Sequence, residues 1–565
     1  MKLPVFAVVA LASAFACASA PAAARAPQWG TVRPLALPAQ RGVFLRSVAP
    51  NARIDVYVSL PGRHDAELDG FVDALTTPES PWYTRYLTPE QFGGYFGADP
   101  GAYAAAVRAL QRHGFVIDEL QANRTDIVAH ATAAQVEGLF GTPLELREDR
   151  GRTYYTSRYA PAMPRELAGA VVSGLDDYVQ LHPMIRRNPN YTINGSFSFS
   201  PDDMATVYSL TSLYAHGLDG KGVEIANATC GAAVPSDLAL FAQRFNLPAA
   251  QMISTSEPKW AHLSSVCRGT SYGNGESSLD SDWAIAIARE ATFHQVVASA
   301  PSNRDFDTVY GYIVNTLGHT VHVVTTSWGV CERDIKGSAS IKIDQKLFAQ
   351  AKAEGQHWFS ASGDVGTDDC QDGGTAVSVD FPGSSPYVMS VGGTDVQAQI
   401  ANGNVTAWQA ETVWQAFNSN GASGGGRSIL YGKPRYQRGA TPNDGARDVP
   451  DVALLADGVN DGVWLVQNGS LLAGWGGTSE SAPMWAGLFA IIEQRYNDQR
   501  IADPHARLYQ LGRSSSYHRL FHDIVRGNNG IRDSYGTFPG YSATAGFDLA
   551  TGWGSFIGDA LVRAY

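Results

Sequence analysis

The sequence predicts an α/β protein in two parts, and three observations carry that expectation. Short, nearly uninterrupted apolar runs at 223–228, 295–299, 321–327, 357–362 and 388–391 alternate with helical stretches at 282–291, 306–317 and 341–353. Strands that are apolar on both faces and separated by helices describe a parallel sheet covered on both sides. The preceding 130 or so residues are patterned differently, with alternating strands and amphipathic helices. A polar, turn-rich stretch, Arg186-Arg-Asn-Pro-Asn-Tyr-Thr-Ile-Asn-Gly-Ser196, separates the two patterns.

In chain order, Lys2 precedes an apolar run over 3–16, and small residues follow to Ala26. This reads as a secretory signal peptide, residues 1–26, too short for a comfortable membrane span. No later stretch reaches about 18 uninterrupted apolar residues, so a soluble, exported protein without a membrane anchor is expected, in the periplasm or the medium. Residues 54–60 alternate as a strand, 66–75 and 103–113 read as helices, and 115–120, 126–131 and 144–147 supply strands, with a helix over 133–140 between the last two. That order suggests an α+β sandwich, ferredoxin-like in arrangement, ending near His182. The stretch 186–196 reads as an exposed linker open to proteolysis.

Composition narrows the function. Over 565 residues, charged side chains make up 17% and the formal net charge is −12. Phosphate binding needs a basic surface, so nucleic acid is not an expected partner. A monomer is expected. Cys17 would leave with the signal peptide. Cys230, Cys267, Cys331 and Cys370 remain, an even number in an exported chain without CxxC spacing, which favours disulfides over zinc. Three pairings are possible.

The chemistry centres on Gly474-Trp-Gly-Gly-Thr-Ser-Glu-Ser-Ala-Pro483 and the apolar run that follows it. Two glycines tighten the chain ahead of Ser479, and the run has the length of a buried helix. Ser479 would therefore lie at a helix N-terminus, where free N–H groups and the dipole favour a developing oxyanion. Capping is the alternative role for such a serine.

A nucleophilic serine needs a base. The G-T-S-x-x-x-P stretch is shared with subtilisins, but Thr229 stands where their strand carries aspartate, and no His-Gly-Thr is present. Carboxylates offer a replacement. Glu276 and Asp280, in Gly275-Glu-Ser-Ser-Leu-Asp280, are four residues apart at the start of a helix and share a face. Their helix continues as apolar Trp283-Ala-Ile-Ala-Ile, which draws the pair toward the interior. Asp364, in Ser360-Ala-Ser-Gly-Asp-Val-Gly366, follows a strand end, and can donate to an oxyanion only when protonated.

With Glu276 and Asp280 in E-x-x-x-D, Asp364 in S-G-D-x-G and Ser479 in G-T-S-x-x-x-P, the chain resembles a precursor of the sedolisin, or serine-carboxyl peptidase, family. Thr326-Ser-Trp-Gly329, Ser423-Gly-Gly-Gly426 and Val449-Pro-Asp451 support the resemblance, as does the string running from Ser80 to Phe92. The resemblance implies a subtilisin-like catalytic fold over 195–565, an activation prodomain of the pro-kumamolisin type over 43–183 that serves as chaperone and inhibitor, and a processing linker over 184–200. It assigns Glu276 as general base, Asp280 as its orienting partner, Ser479 as nucleophile and Asp364 as oxyanion donor. It further implies one structural Ca2+ bound by the side chains of Asp523 and Asp548 and the carbonyls of Ile524, Thr544 and Gly546, and disulfides Cys230–Cys267 and Cys331–Cys370. Asn227 departs from the pattern, standing where some members carry a carboxylate that supports the glutamate.

The expected activity is hydrolysis of peptide bonds in proteins or peptides at acidic pH after self-processing. Endopeptidase and tripeptidyl-peptidase action are both compatible with these residues. Two alternatives stand beside it: a histidine-dependent subtilisin-like peptidase, and a catalytically silent calcium-binding homologue.

Overall fold

A computed structural model describes residues 41–187, 198–257, 267, 271–371, 376–402, 404–416, 421–458, 462–496, 501–532 and 536–565. The expected signal peptide and residues 188–197 of the expected linker lie outside the described residues.

The N-terminal unit holds a four-stranded antiparallel sheet in the order Val116–Leu120, Asp126–Thr132, Arg53–Ser59, Val171–Ser173. Numbered along the chain from Arg53–Ser59, that is 2-3-1-4. Helices Leu68–Thr76, Pro89–Tyr95 and Pro100–Arg112 join strands 1 and 2, and Ala133–Phe140 follows strand 3. This is the split βαβ arrangement expected of a ferredoxin-like unit. A second sheet, Val43–Ser47, Leu144–Asp149 and Arg152–Ser157, stands beside it.

The large unit is built on strands ordered Gln251–Glu257, Thr292–Ala298, Glu224–Thr229, Val321–Thr326, His357–Ala361 and Val388–Ala401, all parallel. Val452–Leu455 adds a further parallel strand beside Val388–Ala401, and Asn404–Val413 folds back antiparallel. The extension of 388–391 into a 14-residue strand reflects this hairpin, whose distal residues alternate in burial and so lack an unbroken apolar run.

Two helices cross on one face. Thr478–Arg495 is buried almost throughout, including Met484, Trp485, Phe489 and Ile491. It packs on Ser271–Ile287, which starts earlier than the sequence suggested and carries Glu276 and Asp280 within its body. The crossing is close at Gly487, where a Cβ would lie 2.8 Å from Ile287 Cβ and 2.9 Å from the Ala284 carbonyl. On the opposite face, helices Asn303–Tyr312 and Ser340–Glu354 carry the N-terminal unit. Asn123 Nδ2 donates to Gln350 Oε1 at 2.9 Å, its backbone N–H donates to Asn315 Oδ1 at 3.0 Å, and the Ser173 hydroxyl donates to buried Asp307.

Of the stretch expected as an exposed linker, residues 186 and 187 are described, and they and the chain just before them are held against the large unit. Met184 and Ile185 are buried, and Arg186 is half-buried. His182–Pro183 pairs antiparallel with Trp328–Gly329, and Arg186–Arg187 pairs antiparallel with Trp475–Gly476. Two strand edges of the large unit, remote in sequence, hold residues 182–187 extended.

Gly487→Leu is expected to force the crossing helices apart and lower the free energy of unfolding by about 1–3 kcal/mol. Urea unfolding measures this, and an unchanged midpoint would contradict the tight crossing.

Candidate active site

Helix Thr478–Arg495 opens at Gly477, whose φ of 110° is one that residues with a Cβ rarely adopt. A Cβ there would also lie 2.5 Å from the Met184 carbonyl oxygen and 2.7 Å from Asp364 Oδ2. Gly477 thus lets two oxygens from distant parts of the chain approach the first turn. Ser479, one residue into the helix, donates its backbone N–H to the Met184 carbonyl at 3.1 Å, and its hydroxyl donates to the same oxygen.

Glu276 and Asp280 face this turn from the neighbouring helix and are fully buried. Burial, followed by the charges of Asp280 and Asp364, pushes the Glu276 carboxyl well above the usual range. The Ser479 hydroxyl acts in the opposite direction, yet it is turned onto the Met184 carbonyl, leaving both Glu276 oxygens without a hydrogen-bond partner. Asp280 is better supplied. Ser327 Oγ donates to its Oδ1 at 2.6 Å and Asn227 Nδ2 to its Oδ2 at 2.8 Å. Burial raises it to about 7 against these two donors. Asn227 therefore enters the network as a donor to Asp280, so the departure noted in the sequence leaves the pair supported. Thr229, at the subtilisin aspartate's place, is occupied with the Ser277 hydroxyl at 2.8 Å and the Trp328 indole N–H at 3.1 Å.

Asp364 lies beyond strand His357–Ala361. Its Oδ1 accepts from the Thr478 backbone N–H at 2.8 Å and the Thr478 hydroxyl at 2.9 Å. Its Oδ2 faces Arg186 Nε at 3.4 Å. Burial raises Asp364 to about 6, opposed first by the Arg186 charge and then by Thr478. The four residues singled out in the sequence thus converge. Ser327, Thr478, Met184 and Arg186 also contribute; Ser327 lay within the Thr326-Ser-Trp-Gly329 string, while nothing local marked Met184. Among the described residues no histidine is hydrogen-bonded to Ser479.

Buried acids beside a hydroxyl, with a helix N-terminal N–H at a neighbouring carbonyl oxygen, can activate the hydroxyl and stabilise negative charge on the carbonyl oxygen, the requirements of acyl transfer.

Near the C-terminus, the residues expected to hold a cation come together. The Gly546 N–H donates to Asp523 Oδ1 at 3.0 Å, and Asp548 accepts from the N–H groups of Thr544, Ala550 and Thr551 at 2.8–3.0 Å. Asp523 and Asp548 supply carboxylate oxygens, the donor type a hard cation takes. A separate group, Asp55, Asp118 and His130, lies in the N-terminal unit, where His130 Nδ1 and an Asp118 carboxylate oxygen are hydrogen-bonded at 2.8 Å. Cys230 is bonded to Cys267 and Cys331 to Cys370, as the resemblance implied, with Cα separations of 4.7 and 5.0 Å. Among the described residues no helix is long and apolar enough to cross a membrane.

Comparison with known proteins agrees with this geometry. Residues 40–178 match the Pro-kumamolisin activation domain model, and residues 269–554 match the subtilase family model. The chain is 29% identical to sedolisin of Pseudomonas sp. (strain 101) over 547 residues, covering 93% of this chain and 89% of the relative. It is 31% identical to kumamolisin of Bacillus sp. (strain MN-32) over 543 residues, covering 92% of each. The solved structure of Pseudomonas sedolisin, a serine-carboxyl proteinase complexed with pseudo-iodotyrostatin, aligns with a TM-score of 0.57 at 28% identity, covering 66% of this chain and 98% of that one.

The raised carboxyls fix a sign for stability. The folded protein retains protons that an unfolded chain releases near pH 4. Their contribution is complete below that pH and is lost as pH rises through about 6 for Asp364 and about 7 for Asp280. For a Ser479→Ala chain, the urea midpoint is expected to be higher at about pH 5 than at about pH 8. The opposite order would overturn the protonation states described.

Proposed function

Because the chain belongs to the sedolisin family of serine peptidases, we propose that it is a secreted, acid-acting serine-carboxyl peptidase, made as a precursor that processes itself. Residues 43–183 form its activation prodomain, 184–200 its processing linker and 195–565 its catalytic domain. The observation that carries this reading is the Ser479 hydroxyl, held on a peptide carbonyl beside two buried carboxyls.

Glu276 and Asp280 act as one unit. Enclosed together, they hold one proton and one negative charge, and the donors Asn227 and Ser327 favour the charge on Asp280. As Ser479 Oγ bonds to the substrate carbonyl carbon, Glu276 takes the hydroxyl proton while the proton already in the pair moves to Asp280. Protonated Asp364 and the Ser479 N–H donate to the oxyanion. The C–N bond then breaks, the amine leaves with the proton from Glu276, and water repeats the sequence on the acyl-enzyme. Asp364 must hold a proton to donate, so activity belongs to acidic pH.

The side chains of Asp523 and Asp548, with the carbonyls of Ile524, Thr544 and Gly546, would hold one Ca2+, which braces these loops without entering the chemistry. Secretion rests on the signal-like sequence at 1–26.

Ser479→Ala is expected to lower kcat by roughly 10⁶-fold and Asp364→Ala by about 10²-fold or more, on an acid-denatured protein substrate below about pH 5. Near-normal turnover in either variant removes that residue from the mechanism, and the absence of acid peptidase activity in the processed wild type would favour the silent calcium-binding homologue. Chelation should lower the Tm, by an amount equivalent to about 2.7 kcal/mol where free Ca2+ had stood about 100-fold above Kd. In Asp548→Asn that response should shrink; a wild-type Tm indifferent to chelator would exclude the ion.

A further inference from the structure

The segment 181–187 lies across the candidate site as an extended strand. Its two halves are held by different walls. Leu181 donates its N–H to the Pro301 carbonyl at 2.8 Å, and His182–Pro183 pairs with Trp328–Gly329. Beyond Ile185, Arg186–Arg187 pairs with Trp475–Gly476. Met184 sits where the walls meet. Its N–H donates to the Ser327 carbonyl at 3.0 Å, and its carbonyl oxygen accepts from the Ser479 N–H at 3.1 Å. The end of its side chain rests on Gly329, in space that a Cβ there would fill.

In acyl transfer, the carbonyl oxygen that occupies the oxyanion donors belongs to the residue whose C–N bond will break. Here that oxygen is Met184 O, touched by both the N–H and the hydroxyl of Ser479 and close to Asp364 Oδ2 across Gly477. We propose that Met184–Ile185 is the bond at which the precursor first cuts itself, and that Arg186 is a positioning residue that sets this register through its ion pair with Asp364. The proposal rests on the serine-peptidase reading above. Chemically, Ser479 Oγ bonds to the Met184 carbonyl carbon, the amine of Ile185 departs with a proton from Glu276, and water releases Met184 as a carboxylate.

The same ion pair ties processing to acid. Asp364 donates to the oxyanion only when protonated, whereas Arg186 Nε at 3.4 Å favours its ionised form. The charge on Asp364 in turn opposes ionisation of three acids around it, Glu276 across the site and Asp369 and Asp380 beside it. Thr478, whose N–H and hydroxyl both reach Asp364 Oδ1, also favours the ionised form. Arg186 is thus the one cation in this set, and it leaves the site when the segment leaves.

The test acidifies purified full-length precursor to about pH 4 with Ca2+, quenches over time, and reads the earliest fragments by N-terminal sequencing and intact mass. The expected first pair ends at Met184 and begins at Ile185, and Ser479→Ala gives neither. First fragments beginning elsewhere, from a chain that still digests acid-denatured protein, overturn the assignment while leaving the peptidase reading intact. Failure of both self-cleavage and substrate digestion overturns both. A synthetic peptide covering residues 178–190, given to mature enzyme, should also be cut after Met184. Arg186→Gln should move the half-maximal pH of processing upward by roughly 0.5–1 unit, and Arg186→Lys should move it less. An unchanged pH profile in Arg186→Gln overturns the role of the ion pair.

Discussion

Two carboxyl groups enclosed in apolar protein cannot both be charged, and the rest of the catalytic arrangement is built around that constraint. Asp280 receives two hydrogen-bond donors from different strand ends, Asn227 and Ser327, while Glu276 receives none. The asymmetry favours charge on Asp280 over charge on Glu276. Burial is supplied by the crossing of two helices whose described residues beside the site are enclosed on every face, which is why close contact at Gly487, two turns from the serine, bears on the site.

The sequence displayed this arrangement unevenly. Glu276, Asp280, Asp364 and Ser479 were legible because each sits in a short string whose glycines and spacing have a local physical reason, and the apolar continuation of Glu276's helix marked it as buried. The ferredoxin-like order was legible too, since its strands and helices follow one another with clear periodicity. The strands Gln251–Glu257 and Val452–Leu455 were not singled out, and the first, Gln-Met-Ile-Ser-Thr-Ser-Glu, has no continuous apolar run. The path of 181–187 could not be read locally, because its pairing partners lie about 145 and 290 residues further along the chain. Asn227 looked like a missing support in sequence and proved to be a donor, since an amide and a carboxyl at one place serve an acidic neighbour differently.

The N-terminal unit and the large unit share buried polar contacts as well as apolar ones. Asn123 links Asn315 and Gln350, and Ser173 reaches Asp307 beneath the interface. Buried hydrogen bonds of this kind fix orientation as well as affinity, because a shifted unit would leave them unmet. The docked unit therefore fixes the starting point from which residues 181–187 enter the cleft.

The cleft grips its occupant mainly by backbone, with one strand edge on each side of the Met184 carbonyl. A peptide held in this way must be extended over about six residues, a shape that a folded protein seldom offers away from its loops. On the proposed reading acid would act twice, protonating the buried carboxyls and loosening the native folds of the proteins presented to the cleft, so that catalyst and prey become ready under the same conditions.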